Sequence, residues 1–67
     1  MNIQINGNDY EIHKPLHSIS DLLSEYNISG ERTAVEQNGL ILKKEEWPET
    51  AVSDGDRIEI VHFVGGG

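Results

Sequence analysis

The 67-residue chain contains no cysteine. That absence rules out a disulfide framework, a thiolate nucleophile and a zinc site of the Cys type, and any sulfur chemistry must be carried by some other atom of the chain. Basic residues are scarce as well: five Lys and Arg stand against twelve Asp and Glu, a formal charge of −7. This is the wrong balance for neutralising phosphates, so no nucleic-acid partner is expected. No apolar run approaches the ~20 residues of a membrane span, and the N-terminus begins directly in a strand-like pattern. The expectation is a soluble, cytoplasmic protein with no membrane partner. A chain this short forms one domain and buries only about 60% of the surface its unfolded form exposes. A core of that size supplies roughly 3–5 kcal/mol of net stability, too little to expect a deep catalytic cleft.

What is present is organised by period. Ile3 and Ile5 alternate with Asn2, Gln4 and Asn6, and after the turn-forming Asn6-Gly7-Asn8 the alternation resumes at Tyr10 and Ile12, which predicts an N-terminal β-hairpin. The period then changes. Ile19, Leu22, Leu23 and Tyr26 stand at i, i+3, i+4 and i+7, the stripe of an amphipathic helix over about residues 19–27. Ser18 can cap its start with Asp21 imitating a capping box, and Gly30 offers a stop. Asn38-Gly39 between strand-prone runs predicts a second hairpin. "KKEEWPET" reads as a loop or short irregular turn over the sheet edge, "SDGD" as a turn, and "RIEIVHFV" as the last strand. One helix over a mixed sheet of four to five strands is an α+β roll.

The residue types that commonly carry catalysis fit structural roles better. His13, His17 and His62 show no helical metal-ligand spacing. Glu45, Glu46 and Glu49 lie in a charged loop where a solvated surface is the default, and a general acid/base pair is not expected there. Ser18, Ser20 and Ser24 suit a helix cap and an exposed helix face. No GxxxxGK[ST] loop occurs. Trp47, beside Pro48, is expected to lid a small core. The chain is therefore expected not to be an enzyme and to bind no cofactor or metal itself.

The C-terminal segment "IVHFVGGG" is different. Ile58 and Ile60 point to one face of the last strand, continued by His62 and Val64, while Glu59, Val61 and Phe63 point to the other. Val61 and Phe63 then form either an exposed partner-binding patch or a surface covered by the loop that holds Trp47. Gly65, Gly66 and Gly67 also read two ways on composition. They are either a disordered fringe or an expression remnant, or else the end of a slim arm: the four residues from Val64 can extend roughly 13 Å at 3.3 Å each, the last three without Cβ atoms. Residues 1–64 are expected to form the domain and 65–67 a flexible C-terminal glycine tail.

The stretch "SDGDRIEIVHFVGGG", with "NGNDYEI" at the start and "SISDLL" on the helix, resembles the ubiquitin-like β-grasp sulfur carriers, nearest among them the carrier of thiamin biosynthesis. The resemblance implies a ubiquitin-like β-grasp roll, with the first and last strands side by side at the sheet centre. It also implies that the carboxylate of Gly67, preceded by its required neighbour Gly66, is adenylated by a ThiF-like adenylyltransferase using ATP and Mg and then converted to a thiocarboxylate. Sulfur from a sulfur-donating protein would pass through Gly67 to a ThiG-like thiazole synthase for thiazole formation, with Val61, Phe63, Val64, Gly65 and Gly66 meeting the partners. A carrier like the small subunit of molybdopterin synthase ends in the same Gly-Gly but is typically longer. From another class, a non-conjugating β-grasp interaction module remains an alternative.

Overall fold

The two Asn-Gly pairs set the geometry from which the sheet grows. Asn6 (φ 50°) with Gly7 (φ 82°), and Asn38 (φ 50°) with Gly39 (φ 87°), place consecutive residues in the left-handed region that a type I′ hairpin requires. The computed structural model describes residues 1–63; the expectations for Val64 and for the 65–67 tail lie outside the described residues. The first pair joins β1 (Asn2–Ile5) to β2 (Asn8–Glu11), and the second joins β3 (Thr33–Gln37) to β4 (Leu40–Leu42). The last strand, β5 (Arg57–His62), lies between the hairpins, parallel to β1 and antiparallel to β3, giving the order β2-β1-β5-β3-β4. The sheet thus has five strands, the upper of the two numbers expected, and the first and last strands are neighbours.

Helix α1 spans Ile19–Glu25 and turns Ile19, Leu22 and Leu23 into the core. Its N-terminal N–H groups are all engaged. Ile19 and Ser20 donate to the carbonyls of Thr50 and Trp47, Asp21 donates to Ser18 Oγ, and Leu22 donates to the Ser18 carbonyl. The loop after β4 thereby ties itself to the helix it crosses. Asp21 does not close a capping box on Ser18: its carboxylate accepts from the His17 N–H at 2.9 Å, one residue further out. The stop is not Gly30 either. Asn27 takes φ 55° and donates to the Ser24 carbonyl, while Ile28 donates to Leu23, the paired bonds of a Schellman motif. That motif ends the helix two residues before the expected end at Asn27, because Tyr26 is already the cap.

Gly30 has a packing role. A Cβ built on it would lie 3.1 Å from Trp47 Cζ3, so the indole lies over bare backbone there. Trp47 is buried and lids the core as expected, entered through a single 3₁₀ turn, Lys44–Glu46, that Glu46 stabilises by accepting from the Lys43 N–H at 2.8 Å. Tyr26, at the margin of the helix stripe, packs edge-on against Tyr10 of β2 with ring centroids 5.3 Å apart.

The turn before β5 is fastened by a buried carboxylate. Asp56 accepts from Gln37 Nε2 (2.9 Å), Asn38 Nδ2 (2.9 Å) and the Ser53 N–H (2.8 Å), joining the β3–β4 hairpin to the start of β5. Burial pushes its pKa upward, but the bonds from Asn38, Ser53 and Gln37 outweigh burial and hold the carboxyl below its ordinary value. A depressed folded-state pKa contributes stability that is fully present above the unfolded value of about 3.9 and disappears as pH falls through the folded value. Asp56→Ala should lower stability at pH 7 by about 2 kcal/mol by stranding these donors. Denaturant melts from pH 7 to pH 2 should also show a shallower acid loss in the variant than in the parent. Parallel acid profiles would remove Asp56 as a cause.

Candidate functional site

Register assigns each residue of β5 to a face. Ile58 and Ile60 are buried beneath α1, so Arg57, Glu59 and Val61 project from the opposite side, with Phe63 following in the same alternation. No element covers that side among the described residues. Val61 is 53% and Phe63 58% exposed, and the Trp47 loop packs on the helix side of the sheet, so of the two readings the exposed patch is the one the structure shows. Ala34 stands across from Val61. Ile41, 76% exposed, lies opposite Glu36 on the same face and adds an apolar residue the sequence reading did not single out. The signal was available: Val35 is inward, so Glu36 and its cross-strand neighbour must be outward.

The charges around this patch are acidic. Glu59 sits directly opposite Glu36 across the β5–β3 pair, a like-charge arrangement that costs the isolated sheet. Among the described residues neither glutamate is in an ion pair; the pairs present are Lys14–Glu25 at 3.3 Å and His13–Glu11 at 3.4 Å. On the β1–β2 side the face dips into a depression of about 730 Å³ lined in part by Gln4, Asp9, Glu11 and Arg57. No group of three or more His, Asp or Glu able to hold a metal ion occurs among the described residues.

At the end of β5 the backbone bonds continue to Phe63, the last described residue. Its N–H donates to the Arg32 carbonyl at 2.8 Å, and His62 pairs with Thr33 in the ladder. On the other edge β1 has already ended at Ile5, and the Asn6 side chain replaces it, accepting from the Ile60 N–H at 2.7 Å and donating to the Ile60 carbonyl at 3.1 Å. Asn6, which sequence reasoning read only as a turn residue, thus extends the pairing of β5. Of the expected site residues, Val61 and Phe63 are together on the open face, and Val64, Gly65, Gly66 and Gly67 lie outside the described residues. His13, His17 and His62 are not brought together.

Comparison with known proteins agrees with this architecture. The ThiS family model matches residues 3–67. The chain is 45% identical over 65 residues to the sulfur carrier protein ThiS of Bacillus subtilis, covering 97% of this chain and 98% of that protein. It is 37% identical over 67 residues to a thiazole synthase of Paramagnetospirillum magneticum, matching the whole of this chain and 20% of that longer protein. The crystal structure of a thiamine biosynthesis protein, ThiS, from Geobacter metallireducens superposes with a TM-score of 0.88 at 35% identity, each chain covered in full.

The opposed glutamates generate a measurable expectation. Glu36→Gln should raise stability by roughly 0.5 kcal/mol at low ionic strength, with the gain shrinking as salt screens the pair. Denaturant melts at low and high salt check it. A loss of stability, or a gain independent of salt, would show that the pair carries no repulsion.

Proposed function

The chain belongs to the ThiS family and is a sulfur carrier protein of thiamin biosynthesis, not a catalyst, and we propose that its cargo rides on the α-carboxyl carbon of Gly67. The observation that carries this reading is the family match, which runs through Gly67, in a sequence where Gly65, Gly66 and Gly67 follow the last strand and which has no thiol of its own. A carboxylate resists attack because it is anionic and lacks a leaving group. Transfer of AMP from ATP to the Gly67 carboxylate, with pyrophosphate leaving, gives a mixed anhydride with an electrophilic acyl carbon. A sulfur nucleophile at the oxidation level of sulfide then displaces AMP and leaves a thiocarboxylate. ATP and Mg²⁺ belong to the partner in this scheme, a ThiF-like adenylyltransferase, and a separate protein donates the sulfur.

The second partner is a ThiG-like thiazole synthase, and the stretch of a thiazole synthase that resembles this whole chain supports it. We assign Val61 and Phe63, with Ile41 beside them, to docking both enzymes. Val64, Gly65 and Gly66 then enter the partner's site, where the missing Cβ atoms of the two glycines permit a narrow channel. Glu36 and Glu59 favour partners that bring basic residues to this face. No described helix is long and apolar enough to cross a membrane, and we place the carrier in the cytoplasm.

Intact-mass spectrometry tests the acyl site. After incubation with the adenylyltransferase, ATP, Mg²⁺ and a sulfur source, the protein should gain about 16 Da as sulfur replaces oxygen. A variant extended by one residue beyond Gly67 should gain nothing, and equal loading of the extended protein would end the assignment. For the docking face, Phe63→Asp should weaken both complexes by about tenfold or more, an aromatic anchor being worth upwards of 1.4 kcal/mol, with the fold intact. Unchanged affinity for both partners would move the interface elsewhere.

A further inference from the structure

We propose that a groove on the helix side of the sheet is a second docking element: it takes one aromatic side chain of the partner, a tryptophan or tyrosine, whose N–H or O–H donates to His62 Nε2. The inference rests on the reading that an adenylyltransferase docks at Val61 and Phe63, and it extends that grip around the end of β5. The groove has a volume of about 350 Å³, with Tyr10, Tyr26, Ile28, Ile60 and His62 among its walls. It opens where α1 has ended, and only Tyr26 and Ile28 of the segment after the helix border it. Ligand pockets span roughly 300–1,000 Å³, so this one suits a single side chain and not a longer ligand. His62 and Phe63 are consecutive, so a partner reaching round the strand end meets the groove and the open face together.

Charge selects the kind of occupant. None of the lining residues is Asp, Glu, Lys or Arg, although such residues make up 25% of the chain; the larger depression is lined in part by Asp9, Glu11 and Arg57. A charged occupant would be desolvated there without a counter-charge, and an uncharged one would not. The polar atoms narrow the choice further. Asn6 spends both ends of its amide on the Ile60 backbone, while the Tyr10 and Tyr26 hydroxyls and the Asn8 amide can each donate or accept. His62 is more selective. Thr33 Oγ1 lies 2.7 Å from the Ser29 carbonyl, 3.0 Å from the Glu31 carbonyl and 3.0 Å from His62 Nδ1. A hydroxyl has one proton, which goes to a carbonyl, so its lone pair faces Nδ1 and Nδ1 must carry the hydrogen. In neutral imidazole this leaves a lone pair on Nε2, on the ring edge turned away from β3, and no group among the described residues donates to it. An acceptor beside tyrosine rings and isoleucine side chains matches an apolar body with a donor, which is the chemistry of tryptophan and tyrosine.

Protonation reverses that preference. Imidazolium keeps the Nδ1–H that Thr33 accepts but also carries a hydrogen on Nε2, so the Thr33 contact survives while the groove turns from acceptor to donor. The other titratable groups facing the groove are Tyr10 from β2 and Tyr26 after α1; from β3 Thr33 meets the ring, and His62 forms no ion pair among the described residues.

The test measures binding of the full-length chain to a ThiF-like adenylyltransferase by calorimetry, with nitrogen-15 spectra of the free chain. The spectra should show neutral His62 protonated on Nδ1, and an Nε2–H tautomer removes the acceptor and overturns the proposal. His62→Phe keeps a ring without an acceptor and should raise Kd about tenfold, the scale of stranding a buried donor. His62→Gln offers an amide oxygen and should stay within about twofold of wild type at neutral pH. Between about pH 8 and pH 5 wild type should lose more affinity than the glutamine variant, which has nothing to titrate at that position. An unchanged Kd in His62→Phe, a glutamine variant as weak as the phenylalanine one, or matching pH profiles overturns the groove and leaves the Val61 and Phe63 face standing. Full affinity in Phe63→Asp alongside the His62→Phe loss moves the interface off the open face and keeps the groove. Self-association of the free chain that His62→Phe abolishes assigns the groove to a second copy and overturns the proposal, and no binding by wild type overturns groove and face together.

Discussion

Everything in this molecule is arranged around the position of β5. A strand with hydrogen-bonded neighbours on both sides has no free edge, so it can act on the outside world only through a face or an end. The face under α1 is filled by Ile58 and Ile60, which leaves the face bearing Glu59 and Val61 and the end at Phe63. On the proposed reading, docking falls on that face and delivery on the segment after that end, so a partner that gripped Val61 and Phe63 would hold the strand just before the residues proposed to carry the cargo.

The polar side chains that matter here act as extra backbone. Asn6 imitates a strand residue, giving Ile60 an acceptor and a donor after β1 has stopped. Asn38 Oδ1 accepts from the Arg57 N–H at 2.8 Å while its amide donates to Asp56. Asp56 gathers the turn at the other end of β5, and Gly55 donates to the Asn2 carbonyl at 2.7 Å. The strand is thus pinned at its start by Asp56 and Asn38, at mid-length by Asn6, and at its end by the Thr33 hydroxyl, 3.0 Å from His62 Nδ1. These bonds place short, specific restraints where a small core cannot hold the strand by packing alone, and each depends on the identity of a single side chain.

Which parts were legible in the sequence follows from which signals are local. The alternation around Ile3 and Ile5, the stripe of Ile19, Leu22 and Leu23, and the two Asn-Gly turns act within a few residues, and each produced the expected element. So did the outward direction of Val61 and Phe63, because a strand's period of two leaves no other choice once Ile58 and Ile60 are inside. The misjudged details depend on distant partners. Gly30 looked like a helix stop because glycine often is one, yet its bare backbone answers to the Trp47 ring seventeen positions later, and Asn27 ends the helix instead. The second duty of Asn6 requires Ile60, fifty-four residues away, and Ile41 joins the open face only through pairing with β3. The contact between Thr33 Oγ1 and His62 Nδ1, 3.0 Å apart, likewise exists only once β3 and β5 are side by side.

A carrier has two requirements that oppose each other. Its reacting end must enter the active sites of enzymes that do different chemistry, which favours a narrow segment with little of its own to pack, and glycine is the residue that satisfies this. The same freedom spreads the reacting atom over a volume that grows with the length of unanchored chain, which dilutes it at the point of reaction. A fold can reconcile the two only by placing the boundary between held and unheld chain sharply. In this molecule the backbone bonds continue past β5 to Phe63, the last described residue, whose N–H donates to the carbonyl of Arg32, a residue in the left-handed region at φ 52°. On the proposed reading of Gly67 as the acyl site, that bond is the last described restraint before the segment that would deliver the cargo.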